Sequence, residues 1–160
     1  VGSEMCIRDR NVLDTVFVEG VDRAEWRRRV IPSLPHLDYF VPSEREALAI
    51  SGVDDIEDAA RAFQREGARN VVIKLGERGV FCLDEAGRGE QVAAYRVARV
   101  IDATGAGDCW AAGFLAGLLE DRNLVDAARL GNAVAAVSVQ APGATTGIRS
   151  MDQVKAVMHG

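Results

Sequence analysis

Apolar segments of strand length alternate with segments of helical period along most of this chain, and that alternation leaves few folds open. Val71–Leu75 (VVIKL) is the sharpest case: a short, almost uninterrupted apolar run, as expected of a strand buried on both faces. Before it, a helix signal runs from a cap at Asp54 or Asp55 to Glu66, and Gly67 occupies the position where helices commonly turn left-handed. After it come a Gly76-Glu-Arg-Gly79 turn and a second β-rich stretch, Val80–Leu83. Further strands are expected at Thr15–Val18, Asp38–Val41 and Tyr95–Ile101. Further helices are expected at Ala24–Val30, Ser43–Ser51, Ala106–Glu120, Leu124 to about Gln140, and Met151–Met158. Gly87-Arg88-Gly89 marks a turn, so residues 80–100 read as a hairpin rather than another βα unit. The pattern predicts an α/β fold: a three-layer, Rossmann-like, mostly parallel sheet flanked by helices.

Composition bounds the function. The chain has 160 residues, enough for one domain or part of a larger one, and 48% are hydrophobic, enough for a packed core. Nineteen basic against twenty-four acidic side chains leave a net charge of −5, which argues against general nucleic-acid binding. No apolar run approaches the length of a membrane span. Three cysteines (Cys6, Cys82 and Cys109) have no metal-ligand spacing, and their odd number suits a reducing, cytoplasmic setting. Residues 1–10 (VGSEMCIRDR) show neither a signal peptide nor a structural period and read as a non-native leader ahead of a domain at 11–160.

The richest segment for chemistry is Val100–Gly117. A strand is expected to deliver Asp102, and Thr104-Gly105-Ala106-Gly107-Asp108 then opens a helix. Glycines at 105 and 107 let backbone approach a ligand, and a helix N-terminus presents unpaired N–H groups to an anion. Asp108 in the first helical turn reads either as a cap and dipole partner or as a general base beside a phosphate-transfer centre. A Walker A loop is excluded, because no Gly-Lys-Ser/Thr tripeptide exists. The dinucleotide fingerprint fails at its third glycine, where Trp110 stands, and this disfavours an NAD-dependent oxidoreductase.

Asp102-Ala-Thr-Gly-Ala-Gly-Asp108 and the small-residue helix after it resemble the second signature of the ribokinase-like carbohydrate kinases, the PfkB family. Flanking segments agree in order. Leu37–Ala47 resembles the family's strand followed by Asn-x-x-Glu, and Val72–Gly79 its Lys-x-Gly-x-x-Gly nucleotide segment. Gly131-Asn132 and Pro142-Gly143-Ala144 resemble its adenine-side helix and following loop. The resemblance runs from about Asn11 to the C-terminus and corresponds to the family's C-terminal half. The first glycine-rich signature, the lid and most sugar-binding residues would lie elsewhere, so the fragment alone is expected to lack what selects the sugar.

The resemblance implies an ATP-dependent kinase that transfers the γ-phosphoryl group to a hydroxyl of a sugar or nucleoside, with Mg2+. Gly105, Ala106 and Gly107 would form the anion hole and Asp108 would be the base. Glu46 matches a glutamate that helps hold Mg2+, through water; Ser43 departs from the family's asparagine there, and Ser43-Glu-Arg-Glu46 is equally an ordinary capping box. Lys74, Gly76, Gly79, Thr104 and Asn132 fall on nucleotide-side positions. Lys74 reads equally as a snorkelling lysine, the two glycines as turn formers, and Asn132 as a satisfied buried amide. Asp102 and the Thr104 carbonyl match a monovalent-cation site in many members, with loop Ala141–Gly147 supplying further oxygens, which makes K+ a further cofactor to consider. A homodimer is open to the full-length protein. Outside this class stands a nucleotide-binding regulatory domain without catalysis.

Overall fold

The computed structural model describes residues 3–7, 10–14 and 23–160. In chain order the elements are β1 (Ser3–Ile7), β2 (Arg10–Asp14), α1 (Arg23–Val30), β3 (Tyr39–Val41), α2 (Glu44–Ser51), α3 (Ile56–Arg65) and β4 (Asn70–Lys74). A 3-10 turn (Gly76–Arg78) leads to β5 (Val80–Leu83) and β6 (Gly89–Val92). Then come α4 (Ala106–Leu119), α5 (Leu124–Ser138) and α6 (Met151–His159). The strand expected at Thr15–Val18 lies outside the described residues.

The six strands line up in sequence order in one sheet. β2–β3 and β3–β4 are parallel, and helical crossovers separate them in sequence. β1, next to β2 in the chain, pairs with it antiparallel. Two neighbours with a short connection can only pair this way, because a parallel pair needs a crossover of a dozen or more residues. The sheet is therefore mixed, and residues 3–7 pair as a strand although their sequence shows no period.

By compactness the chain divides into two units. One holds the residues up to Leu75 and Phe81–Gln91; the other holds Gly76–Val80 and Val92–Gly160. In the first, α1, α2 and α3 bury Trp26, Ala47, Ile50, Ala60 and Phe63 with Phe40, Val71, Ile73 and Leu83 of the sheet. Phe40 and Phe63 meet edge to face at 4.9 Å, a favoured aromatic geometry. Val72, on the opposite side of β4 from Val71 and Ile73, is also fully buried. The sequence of β4 is apolar without alternation because both its faces are closed to water.

Helix ends follow their local chemistry. Ser43 caps α2 and Asp55 caps α3, the latter with Oδ1 accepting from Asp58 N at 2.9 Å. Gly52 ends α2 in the left-handed region. The β5–β6 turn is held by Asp84, whose Oδ1 accepts from the N–H groups of Ala86 and Arg88.

In the second unit, α4 and α5 pack closely through small residues. A Cβ on Gly113 would stand 2.7 Å from Val134 Cγ2, and one on Gly131 2.8 Å from Trp110 Cε2. Helix α6 docks through Val154 into a cluster with Cys109, Leu130, Ala133 and Val137. The strand expected at Tyr95–Ile101 does not form. Its β-branched residues favour extended backbone, but a strand needs a ladder. Ile101 N and Asp102 N instead reach one carbonyl, Val139 O, at the end of α5. Val100 and Ile101 are more than half exposed. Among the described residues no helix is long and apolar enough to cross a membrane.

Candidate active site: the start of helix α4

In the second unit, Gly105 adopts φ 72°, ψ 5°, a left-handed turn that lets the chain reverse from Asp102 into α4. No side chain caps this helix, so its first N–H groups depend on other acceptors. Ala106 N donates to Ala103 O at 3.2 Å and Cys109 N to Gly105 O at 2.9 Å. No carbonyl among the described residues takes the N–H of Gly107 or Asp108. Of the amides expected to face an anion, that of Ala106 is engaged within the turn, while those of Gly107 and Asp108 meet no acceptor among the described residues. Asp108 stands in the first turn, exposed, with no hydrogen bond to a described residue. It makes no side-chain cap, and its place in the first turn keeps it a partner of the helix dipole.

Asp102 ties two loops together. Its Oδ1 accepts from Thr104 N at 2.8 Å and its Oδ2 from Gly143 N at 2.8 Å, across 41 positions of sequence. The Thr104 hydroxyl first, then the Thr104 and Gly143 N–H groups, lower its pKa from 3.8 to about 2. Each oxygen already accepts one N–H, so a monovalent cation would have to use the remaining lone pairs. A depressed folded pKa contributes stability above the unfolded value, and the contribution disappears as pH falls through the folded one. The Asp102 latch is accordingly expected to be intact above pH 3.8 and to open as pH drops through about 2. A pH titration of the Gly143 amide resonance checks this; a midpoint near 4 would contradict it.

Asn132 is 4% exposed, and its polar atoms are turned inward. Nδ2 donates to Val92 O at 3.1 Å and Ala93 O at 3.0 Å, and Oδ1 accepts from Trp110 Nε1 at 2.8 Å. Both amide hydrogens are engaged by backbone, so Asn132 fastens the end of β6 to α5 and leaves no donor for an adenine ring. Gly76 and Gly79 differ in kind. Both have positive φ, but a Cβ on Gly76 would meet nothing within 4 Å, whereas one on Gly79 would stand 2.0 Å from Val92 O. Gly76 leaves open backbone that a ligand could approach; Gly79 is required by the fold.

In the first unit, Ser43 and Lys74 are brought together. Lys74 N donates to Pro42 O at 2.9 Å, and Ser43 bridges Lys74 in parallel register. This is the carboxyl end of adjacent strands, where ligands bind in open α/β sheets. The capping box is present: Glu46 Oε2 accepts from Ser43 N and Ser43 Oγ, each at 2.6 Å. Glu46 is 3% exposed, and both bonds that its carboxylate makes in the box fall on Oε2. Among the described residues no three His, Cys, Asp or Glu side chains gather into a metal cluster. A single carboxylate such as that of Glu46 suits Mg2+, which keeps most of its water and takes one or two carboxylates plus phosphate.

The pattern of the pfkB family carbohydrate kinases matches residues 5–151. The chain belongs to this family. This pfkB chain is 38% identical over 113 residues to a cytidine kinase of Thermococcus kodakarensis, covering 71% of itself and 40% of that protein. It is 35% identical over 117 residues to a 2-dehydro-3-deoxygluconokinase of Bacillus subtilis, covering 73% and 36%. The ribokinase of Thermotoga maritima matches in structure with a TM-score of 0.77 at 29% identity, over 93% of this chain and 48% of that one. The aminoimidazole riboside kinase of Salmonella enterica gives 0.81 at 26%, over 93% and 52%. The ribokinase-like fold is thereby shown, and the chain spans about half or less of each of these relatives.

Proposed function

We propose that this protein is an ATP-dependent kinase that transfers the γ-phosphoryl group to a hydroxyl of a sugar or nucleoside, in the cytoplasm. The observation that carries the reading is the start of α4, where the N–H groups of Gly107 and Asp108 are open and the Asp108 carboxylate is unengaged. Those amides meet negative charge where it grows on the transferring group, and the helix backbone already holds them in place as it does. Asp108 accepts the hydroxyl proton as the oxygen attacks. Lys74 and the open backbone at Gly76 serve the nucleotide phosphates. When bound, Mg2+ would neutralise phosphate charge, and the Glu46 carboxylate would hold it through water.

Support comes from family membership and from relatives named for phosphorylating cytidine, a keto-sugar acid and a riboside. A ribokinase II of E. coli, 28% identical with a TM-score of 0.74, was solved with ATP and Mg2+.

Ligand-dependent melting of the 160-residue chain tests the nucleotide part. A ligand at about 100 times Kd stabilises by roughly 2.7 kcal/mol, so Mg-ATP is expected to raise the melting temperature and EDTA to reduce that rise. NAD is expected to do nothing. Stabilisation by NAD, or none by ATP, would overturn the reading.

A further inference from the structure

We propose that Cys109 is a positioning residue for the amides that open α4, acting through Ala144; this rests on the reading of that helix start as a phosphate site. Cys109 is 4% exposed, and its Sγ donates to Ala144 O at 3.0 Å, 35 residues away. Its own N–H closes the first helical turn on Gly105 O. One residue thus touches both the turn that carries the amides and the loop that covers it.

That loop is seated on the helix start by several contacts. A Cβ on Gly105 would lie 2.5 Å from Ala144 Cβ, so Ala144 occupies the space that glycine leaves free. Gly143 N is held by Asp102, and Gly147 lies against the backbone at the end of α5, where a Cβ would be 2.7 Å from Val137 O. Of these contacts, only the thiol comes from within α4. A thiol is a weak donor, but Ala144 O is a partly buried acceptor, and leaving it unmatched favours lifting the loop toward water. Lifting Ala144 removes the surface that holds Gly105 in its left-handed turn, and the directions of the Gly107 and Asp108 N–H bonds follow that turn. Cys109 acts here through its hydrogen bond and not as a nucleophile.

Three variants separate the hydrogen bond from mere packing. Cys109→Ala removes donor and volume, Cys109→Val removes the donor and keeps apolar bulk, and Cys109→Ser keeps a donor. In 15N spectra of the unliganded 160-residue chain, the Gly107 and Asp108 amides are expected to shift in the alanine and valine variants and to stay near wild type in the serine variant. Hydrogen exchange at Gly143 is expected to run about tenfold faster in the first two, the change that a partly buried carbonyl left without its partner brings, and to be restored by serine. Identical behaviour of serine and alanine, or no change at Gly143, would overturn the proposal. Titration with inorganic phosphate tests the parent reading separately. If wild-type amides ignore phosphate while Gly143 still loosens in Cys109→Ala, the phosphate site falls and the latch stands.

Discussion

Asp108→Asn is expected to lower kcat for phosphoryl transfer by about 10²–10⁴-fold, the usual contribution of a positioned general base. The substitution suits this site. Asparagine matches the carboxylate in shape, and Asp108 holds no capping bond that the change would break. The N–H of residue 108 remains in place, so the anion-facing backbone is preserved. The folding cost is limited to a lost charge–dipole interaction in the first turn, about 0.3–1 kcal/mol. A fall in kcat with KM for ATP little changed is therefore the expected signature of a group that acts in the transition state. Steady-state transfer to the preferred acceptor measures it. Activity within about tenfold of wild type would remove Asp108 from the role of base.

Gly79→Ala is expected to destabilise by more than about 4 kcal/mol, a size reserved for a few severe mechanisms, while Gly76→Ala costs only about 1–2 kcal/mol. Both glycines have positive φ, 90° and 62° respectively, so both variants carry the same kind of left-handed strain. What separates them is the neighbourhood. The new methyl at 79 would lie 2.0 Å from Val92 O, 2.6 Å from Ala94 N and 2.7 Å from the Ala93 carbonyl carbon. These are backbone atoms, which cannot rotate aside as a side chain does. Moving them also disturbs Asn132, because Val92 O and Ala93 O are the acceptors of its amide. Urea denaturation of the two variants checks the contrast. Equal midpoints would show that backbone strain alone governs both positions.

Much of the fold was legible because its signals are local. Ser43, Asp55 and Gly52 state where helices begin and end, since a cap is chemistry between residues two to four apart. The turn of the hairpin expected at 80–100, whose strands end at Val92, and the opening of α4 were readable for the same reason. Tyr95–Ile101 misled because its residues favour extended backbone, but a ladder depends on a neighbour that local propensity cannot supply. The site divides along the same line. Gly105, Gly107 and Asp108 stand out as a motif by their spacing, whereas the engagement of the Ala106 amide needed coordinates. Ser43–Glu46 was legible as a capping box; that both of its carboxylate bonds fall on one oxygen of Glu46 needed coordinates. The inward amide of Asn132 and the thiol contact of Cys109 join positions 35 to 40 apart, and no motif announces such pairs. The apolar setting of Asn132 in an alanine-rich helix was the one available hint.

The two compact units are threaded through each other along the chain. Gly76–Val80 belongs with the residues after Val92, although it lies between β4 and the rest of β5, so the polypeptide changes unit three times within seventeen positions, at 75/76, 80/81 and 91/92. No single cut can release either unit as a continuous piece. A gene truncated between these points would encode an incomplete version of both, and neither unit can emerge whole from a ribosome before Gln91 has been made. Recombination among relatives therefore has no crossover within this stretch that keeps both units whole.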